Sequence, residues 1–253
     1  MTQPFTLTFS ARSYELNEDG NLHPAVYAQW FEEAAYHASK NAGFGPDEYV
    51  ALGTAWVVRE LDLEFLADAR FGEQVTIETW VSDFRRVRSH REYLARRARD
   101  GVLLARQRVD WVYLDRASGL PRRTPADMAA RFEPFGEPVL KDFHAPKFSG
   151  DGAPRFETTR RVQAFEIDEM RIVNHPHYVN WIQEHLREAL AARGGNADAL
   201  KNARHFFEFK QPARRGDVVT LCSDAANVDG ALIWRHEIKR GETRLVESYT
   251  RLR

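Results

Sequence analysis

The strongest constraint on this chain is that it contains two versions of one pattern. HPAVYAQWFEEA returns as NHPHYVNWIQEHL, so that Tyr27, Trp30 and Glu33 recur 151 positions later as Tyr178, Trp181 and Glu184. The same offset pairs Glu15 with Glu166, Leu16 with Ile167, Asn17 with Asp168 and Glu18 with Glu169. A second echo, ARFGEQVTI at 69–77, returns as ARRGDVVTL at 213–221, shifted by 144. Two echoes in the same order mark a duplicated structural unit. At 253 residues the chain is long enough for each copy to bury its own core.

Within each copy, helical spacing follows the shared tyrosine. Val26, Trp30, Phe31 and Ala34 form one apolar stripe; Tyr178, Trp181, Ile182 and Leu186 form the other. The first helix is expected to end at Gly43 and the second at Gly194 and Gly195. Strand-like stretches follow at Leu61–Phe65, Val75–Thr79, Tyr93–Ala98 and Leu103–Leu114, then at Phe207–Phe209, Val218–Cys222, Leu232–Ile238 and Arg244–Thr250. Turns such as Arg99-Asp100-Gly101 join them, and an apolar helix can cover one face of such a sheet. The expected class is α+β, with domains at 1–135 and 156–253 and a Pro- and Gly-rich linker at 136–155.

Composition removes several functions. A formal charge of -1 lacks the bulk positive field of a nucleic-acid binder. The single cysteine, Cys222, excludes an internal disulfide and a multi-cysteine metal site; it reads as a small buried hydrophobe. No stretch has the apolar length of a membrane span and the amino terminus lacks a signal-peptide core, so a cytoplasmic protein without membrane association is expected.

The order RSYEL (Arg12–Leu16), AWVVRELDLEF (Ala55–Phe65), ETWVSD (Glu78–Asp83) and VDWVYLDRASGLPRRTP (Val109–Pro125), followed by IDEMRIVNHPHYVNWIQE, resembles the acyl-acyl-carrier-protein thioesterases. That resemblance implies a tandem hotdog, each half a long helix wrapped by an antiparallel sheet. It also implies hydrolysis of fatty acyl thioesters of acyl carrier protein or coenzyme A, without a cofactor or metal. The plant enzymes carry Asp-x-Asn-x-His before the second helix and a later Glu. Here Asp168 is kept, but Met170, Ile172 and, counting from FEFK, Pro212 stand at the other positions. The same segment is similar to 4-hydroxybenzoyl-CoA thioesterases and their bacterial acyl-CoA relatives, whose catalytic Asp lies ten residues before the helical Tyr. Asp168 and Tyr178 have that spacing.

This second resemblance implies that Asp168 acts as nucleophile or general base, while the backbone N–H of His175 polarises the thioester carbonyl and Asn174 positions water or caps the helix. In the first copy the corresponding residues are Asn17, which is not a carboxylate base, and Pro24, which has no N–H. One working site per chain is therefore expected, in the second half. Asp168 also suits a turn cap, and Tyr178 and Trp181, candidates for substrate contact, also suit the core. His175 and His177, separated by Pro176 and without a third ligand, do not read as a metal site.

The run Arg85, Arg86, Arg88, His90 and Arg91 offers cations for coenzyme A phosphates or an acidic carrier protein, with a solvated loop as the plainer reading. The alternative to hydrolysis is an acyl-thioester binding protein without turnover; a hotdog hydratase ranks last for want of its His-and-carboxylate pattern. Because a duplicated fold can pair with itself, either a monomer or a homodimer is compatible.

Overall fold

The computed structural model describes residues 3–148, 155–228 and 230–252. The chain divides into two compact units, Met1–Leu63 with Ala67–Lys141, and Glu64–Leu66 with Asp142–Arg253.

In the first unit, β1 (Phe5–Ser10) leads to a long helix α1 (Pro24–Asn41) and a short α2 (Pro46–Ala51). Strands β2 (Thr54–Phe65), β3 (Gln74–Arg85), β4 (Arg88–Arg97) and β5 (Leu103–Asp115) follow, and then α3 (Ala126–Arg131). The strand order is β1-β3-β4-β5-β2. The β1/β3, β3/β4 and β4/β5 pairs are antiparallel. α1 begins at Pro24, whose fixed φ suits the first helical position, and Gly43 at φ +90° ends the segment as expected. Its face of Ala28, Phe31, Ala34 and Ala38 is buried, as are Val75, Ile77, Thr79 and Val81 at alternate positions of β3. This is the period-two signature of a sheet with one face under a helix.

The second unit repeats the plan with β6 (Phe156–Arg161), α4 (His175–Ala192), β7 (Arg204–Phe209), β8 (Val218–Val228), β9 (Ala231–Arg240) and β10 (Thr243–Arg251). Its order is β7-β10-β9-β8-β6, antiparallel throughout. α4 starts 151 positions after α1, in register with the sequence repeat.

The structure also explains why both echoes recur. In the first unit the Leu22 N–H donates to Ala69 O at 2.7 Å, and the Tyr27 hydroxyl lies beside the Ala69 backbone outside hydrogen-bond geometry. In the second, the Val173 N–H donates to Ala213 O at 2.9 Å and the Ala213 N–H donates to the Tyr178 hydroxyl at 3.2 Å. In each unit the residue just ahead of the helix is thus tied to the alanine of the other echo, and in the second unit the tyrosine holds that alanine as well.

Of the segment 136–155 expected to be a linker, 149–154 lie outside the described residues. Its first part packs on the first unit: the Val139 N–H donates to Glu92 Oε2 at 3.1 Å, Arg106 donates to Val139 O at 3.0 Å and Leu140 is buried. A Cβ at Gly136 would stand 2.9 Å from the Trp80 indole nitrogen, and φ is +68°, so the close approach requires glycine. Phe143 instead stacks on Phe206 of the second unit at 4.2 Å.

Candidate functional site

Asp168 shapes the turn that precedes α4. Its Oδ1 accepts the Met170 N–H at 2.8 Å and the Ile172 N–H at 3.2 Å, while its own N–H donates to Ile172 O at 2.9 Å. Asn17 does the same in the first unit: its Oδ1 accepts from Asp19 at 3.1 Å and Asn21 at 3.0 Å, and its N–H donates to Asn21 O at 2.8 Å. An amide oxygen and a carboxylate oxygen fill this role equally well. What Asp168 adds is a formal negative charge and a second oxygen, Oδ2. The turn ends on Arg171 at φ +61°, where the first unit has Gly20 at φ +74°.

The loop closes through the Ile167–Val173 bridge and the Asn174 N–H, which donates to Glu166 O at 2.9 Å. Asn174 is the N-cap of α4, but its side chain makes no capping bond. His175 is the first residue of α4, so its amide lies in the turn where the helix dipole favours negative charge. Its imidazole is buried. Burial, with His177 adding to it, pushes its pKa down to about 3, so the ring is neutral.

Tyr178 and Trp181 are both buried. The Tyr178 hydroxyl is engaged with Ala213, and the Trp181 indole N–H donates to Glu166 Oε1 at 2.8 Å with the Arg160 guanidinium 4.3 Å from its ring centre. Both hold α4 to its surroundings.

The arginine run is not a loop. Arg85 ends β3 and pairs with Asp83 at 2.9 Å; Arg86 forms the turn at φ +51°; Arg88 opens β4 and is paired with buried Asp110 and with Glu60. Period-two alternation then turns Arg91 inward, to the face carrying Tyr93 and Ala95. The sequence reading missed this inward phase.

It also missed a polar chain buried inside the second unit. Thr158 Oγ1 lies 2.7 Å from His185 Nδ1, and His185 Nε2 lies 2.8 Å from Ser223 Oγ. Ser223 Oγ is 2.6 Å from His236 Nδ1, and His236 Nε2 is 2.9 Å from Thr250 Oγ1. Thr250 Oγ1 is 2.8 Å from His205 Nδ1, whose Nε2 is 2.8 Å from Gln183 Nε2. An amide nitrogen only donates, so His205 Nε2 accepts and its proton sits on Nδ1. Each later link inherits the same direction, which leaves all three rings neutral and both nitrogens of each satisfied. Burial agrees, pushing His185 down to about 4, His205 to about 3 and His236 well below its ordinary value.

The corresponding sheet positions in the first unit are differently filled. Thr79 pairs with Tyr93 and Tyr93 with Gln107, just as Ser223 pairs with His236 and His236 with Ser248. Neither amide atom of buried Gln107 has a hydrogen-bond partner, and the Tyr93 hydroxyl lies beside the Trp111 indole outside hydrogen-bond geometry. A buried polar group left unsatisfied costs about 1–3 kcal/mol. Among the described residues, the signal for these positions was only their inward phase.

Residues 19–104 match the family model of the Thioesterase superfamily. The matched stretch is less than half of the chain. It holds α1, α2 and β2 to β4 of the first unit. The chain is 25% identical over 191 residues to a chloroplastic palmitoyl-acyl carrier protein thioesterase of Arabidopsis thaliana, covering 71% of this chain and 46% of that protein. It is 20% identical over 238 residues to oleoyl-acyl carrier protein thioesterase 1 of the same plant, covering 88% and 64%. The chain therefore spans about half the length of the first of these relatives. Among solved structures, a putative oleoyl thioesterase from Lactobacillus plantarum superposes with a TM-score of 0.84 at 19% identity, covering 100% of this chain and 95% of that one. The 12:0-ACP thioesterase from Umbellularia californica gives 0.81 at 19% identity, covering 98% and 93%. These likenesses establish the fold, two hotdogs in one chain, and the stretch that matches the family model lies in the first of them.

Proposed function

We propose that the chain hydrolyses fatty acyl thioesters of acyl carrier protein or coenzyme A, with Asp168 as the catalytic carboxylate. The observation that carries this reading is the paired turn: Asn17 and Asp168 do identical structural work through one oxygen, so turn geometry alone does not call for a carboxylate. The relatives that match most of the chain are named as acyl-carrier-protein thioesterases, which supports the substrate class. In the reaction, Oδ2 either takes a proton from the attacking water and passes it to the departing thiolate, or attacks the carbonyl carbon itself to give an acyl anhydride that water hydrolyses, the released proton going to the thiolate. The C–S bond breaks, the thiol leaves, and the His175 N–H carries the developing oxyanion charge. Asn174 orients the water, Tyr178 and Trp181 border the acyl group while fixing α4, and Arg85, Arg86 and Arg88 face the carrier or coenzyme phosphates. Arg86 is the best placed of the three, since Arg85 and Arg88 already meet carboxylates.

Thioester binding without turnover is the second reading, favoured by Met170 and Ile172 at the positions where the plant pattern has Asn and His. Thiol release from a panel of acyl thioesters separates the two. Asp168→Asn preserves the turn, as Asn17 demonstrates, and should lower turnover about 10²- to 10⁴-fold without changing stability. Unchanged hydrolysis in this variant would rule out the carboxylate mechanism.

A further inference from the structure

The turn that carries Asp168 is tied to two other loops of its own unit. The Val173 N–H donates to Ala213 O at 2.9 Å, the Gly216 N–H donates to Val162 O at 3.1 Å, and the Val162 N–H donates to Asp217 O at 2.9 Å. The first unit builds the same rim from the same bonds: Leu22 donates to Ala69 O at 2.7 Å, Gly72 to Ala11 O at 2.9 Å and Ala11 to Glu73 O at 3.0 Å. One backbone scaffold therefore carries two sets of side chains, and the differences between them are not imposed by the fold.

Those differences are cationic. Ser10, Gly20 and Phe71 of the first rim stand where the second has Arg161, Arg171 and Arg215, while Arg70 is matched by Arg214. All four arginines of the second rim are exposed, and among the described residues none of them is in an ion pair. Arg161 reaches across the rim, donating to Gly216 O at 3.0 Å. The acidic side chains of the same loops are Asp168, Glu169 and Asp217, and Asp217 is already paired with Arg240 at 2.7 Å. Arg171 is held at φ +61°, a region that favours glycine, where the sister turn does use glycine. An arginine kept at a conformational cost points to a use for its side chain.

Coenzyme A and the carrier protein hold the thiol on the same pantetheine arm, which ends in a phosphate ester. A thioester placed at Asp168 leaves that phosphate within one arm's length of the turn, and guanidinium forks match phosphate oxygens bidentately. We propose that Arg161, Arg171, Arg214 and Arg215 form an anion site that takes the phosphate of the pantetheine arm. The site lies wholly within the unit that holds Asp168, and the inference deepens the thioesterase reading and rests on it.

The substitutions Arg161→Ser, Arg171→Gly and Arg215→Phe, made together, give the second rim the side chains that the first already carries on the same scaffold. Calorimetry compares phosphopantetheine with pantetheine, which lacks the phosphate, and needs no turnover. The wild type should bind the phosphorylated arm about tenfold or more tightly. The triple variant should lose that preference, and Arg70→Ala in the first rim should keep it. Equal binding of the two arms by the wild type overturns the proposal, as does a preference that survives the triple substitution or one that Arg70→Ala abolishes. Acyl-coenzyme A and acyl-carrier protein then distinguish the two sources of the phosphate. The triple variant should raise KM for at least one of them, the one the rim serves; an unchanged KM for both overturns the site. Preference for the phosphorylated arm without thiol release from any acyl thioester would defeat the hydrolase reading, whereas hydrolysis without that preference would defeat this one.

Discussion

At the scale of single residues, duplication provides an internal control that a lone domain lacks. Asn17 and Asp168 occupy one turn with one hydrogen-bond pattern, so their difference is chemical and not conformational. Arg171 and Gly20 make the complementary case. Both sit at positive φ, +61° and +74°, but only glycine reaches that region without a steric cost. Arg171→Gly should therefore raise stability by about 0.5–1 kcal/mol, read from the urea midpoint at constant m-value. A loss of stability would mean that the Arg171 side chain contributes more than its backbone costs.

At the scale of elements, β4 shows how one strand serves two environments. Its even-numbered residues Arg88, His90 and Glu92 meet charged partners, whereas Arg91, Tyr93 and Ala95 turn toward α1. The arginines of the run consequently differ in what their removal does. Arg88 neutralises Asp110, whose side chain is only 2% exposed, while Arg86 has no such partner. Arg88→Leu should cost about 2 kcal/mol, below the ~3–5 kcal/mol of a fully buried pair because Arg88 itself is half in solvent. Arg86→Ala should leave the denaturation midpoint unchanged; equal losses in the two variants would contradict this division of roles.

At the scale of the whole molecule, the two hotdogs share a plan but not a chemistry. Four buried histidines, His175, His185, His205 and His236, all belong to the second unit, whereas His23, His37 and His90 of the first are not buried. Burial lowers all four below the ordinary value of about 6.5. Below pH 6.5 the unfolded chain takes up protons that the folded unit refuses. Their contribution is thus complete above that pH and lost as the pH falls toward about 4, at about 1.4 kcal/mol per histidine per pH unit. Hydrogen exchange at pH 7.5 and 5, corrected for intrinsic rates, should show protection falling faster in the second unit than in the first. A parallel decline in both would remove the histidines as the cause.

The repeat, the two amphipathic helices, the sheet strands and the Asp168 to Tyr178 spacing were all legible in the sequence, because each depends on periodicity or on distance along the chain. The linker reading saw only proline and glycine; it could not show that Val139 and Leu140 lie on the first sheet, since that contact depends on side chains from distant strands. Basic residues in a row likewise read as solvated until strand pleating turned Arg91 inward. The polar chain from Thr158 to Gln183 joins five strands and a helix, and no local window contains more than two of its members. Local order follows from neighbouring residues, but hydrogen-bond satisfaction is settled only when remote segments meet. That is why a duplicated helix-and-sheet unit was legible in the chain alone, whereas only tertiary packing joined Thr158, His185, Ser223, His236, Thr250, His205 and Gln183 into one buried polar chain.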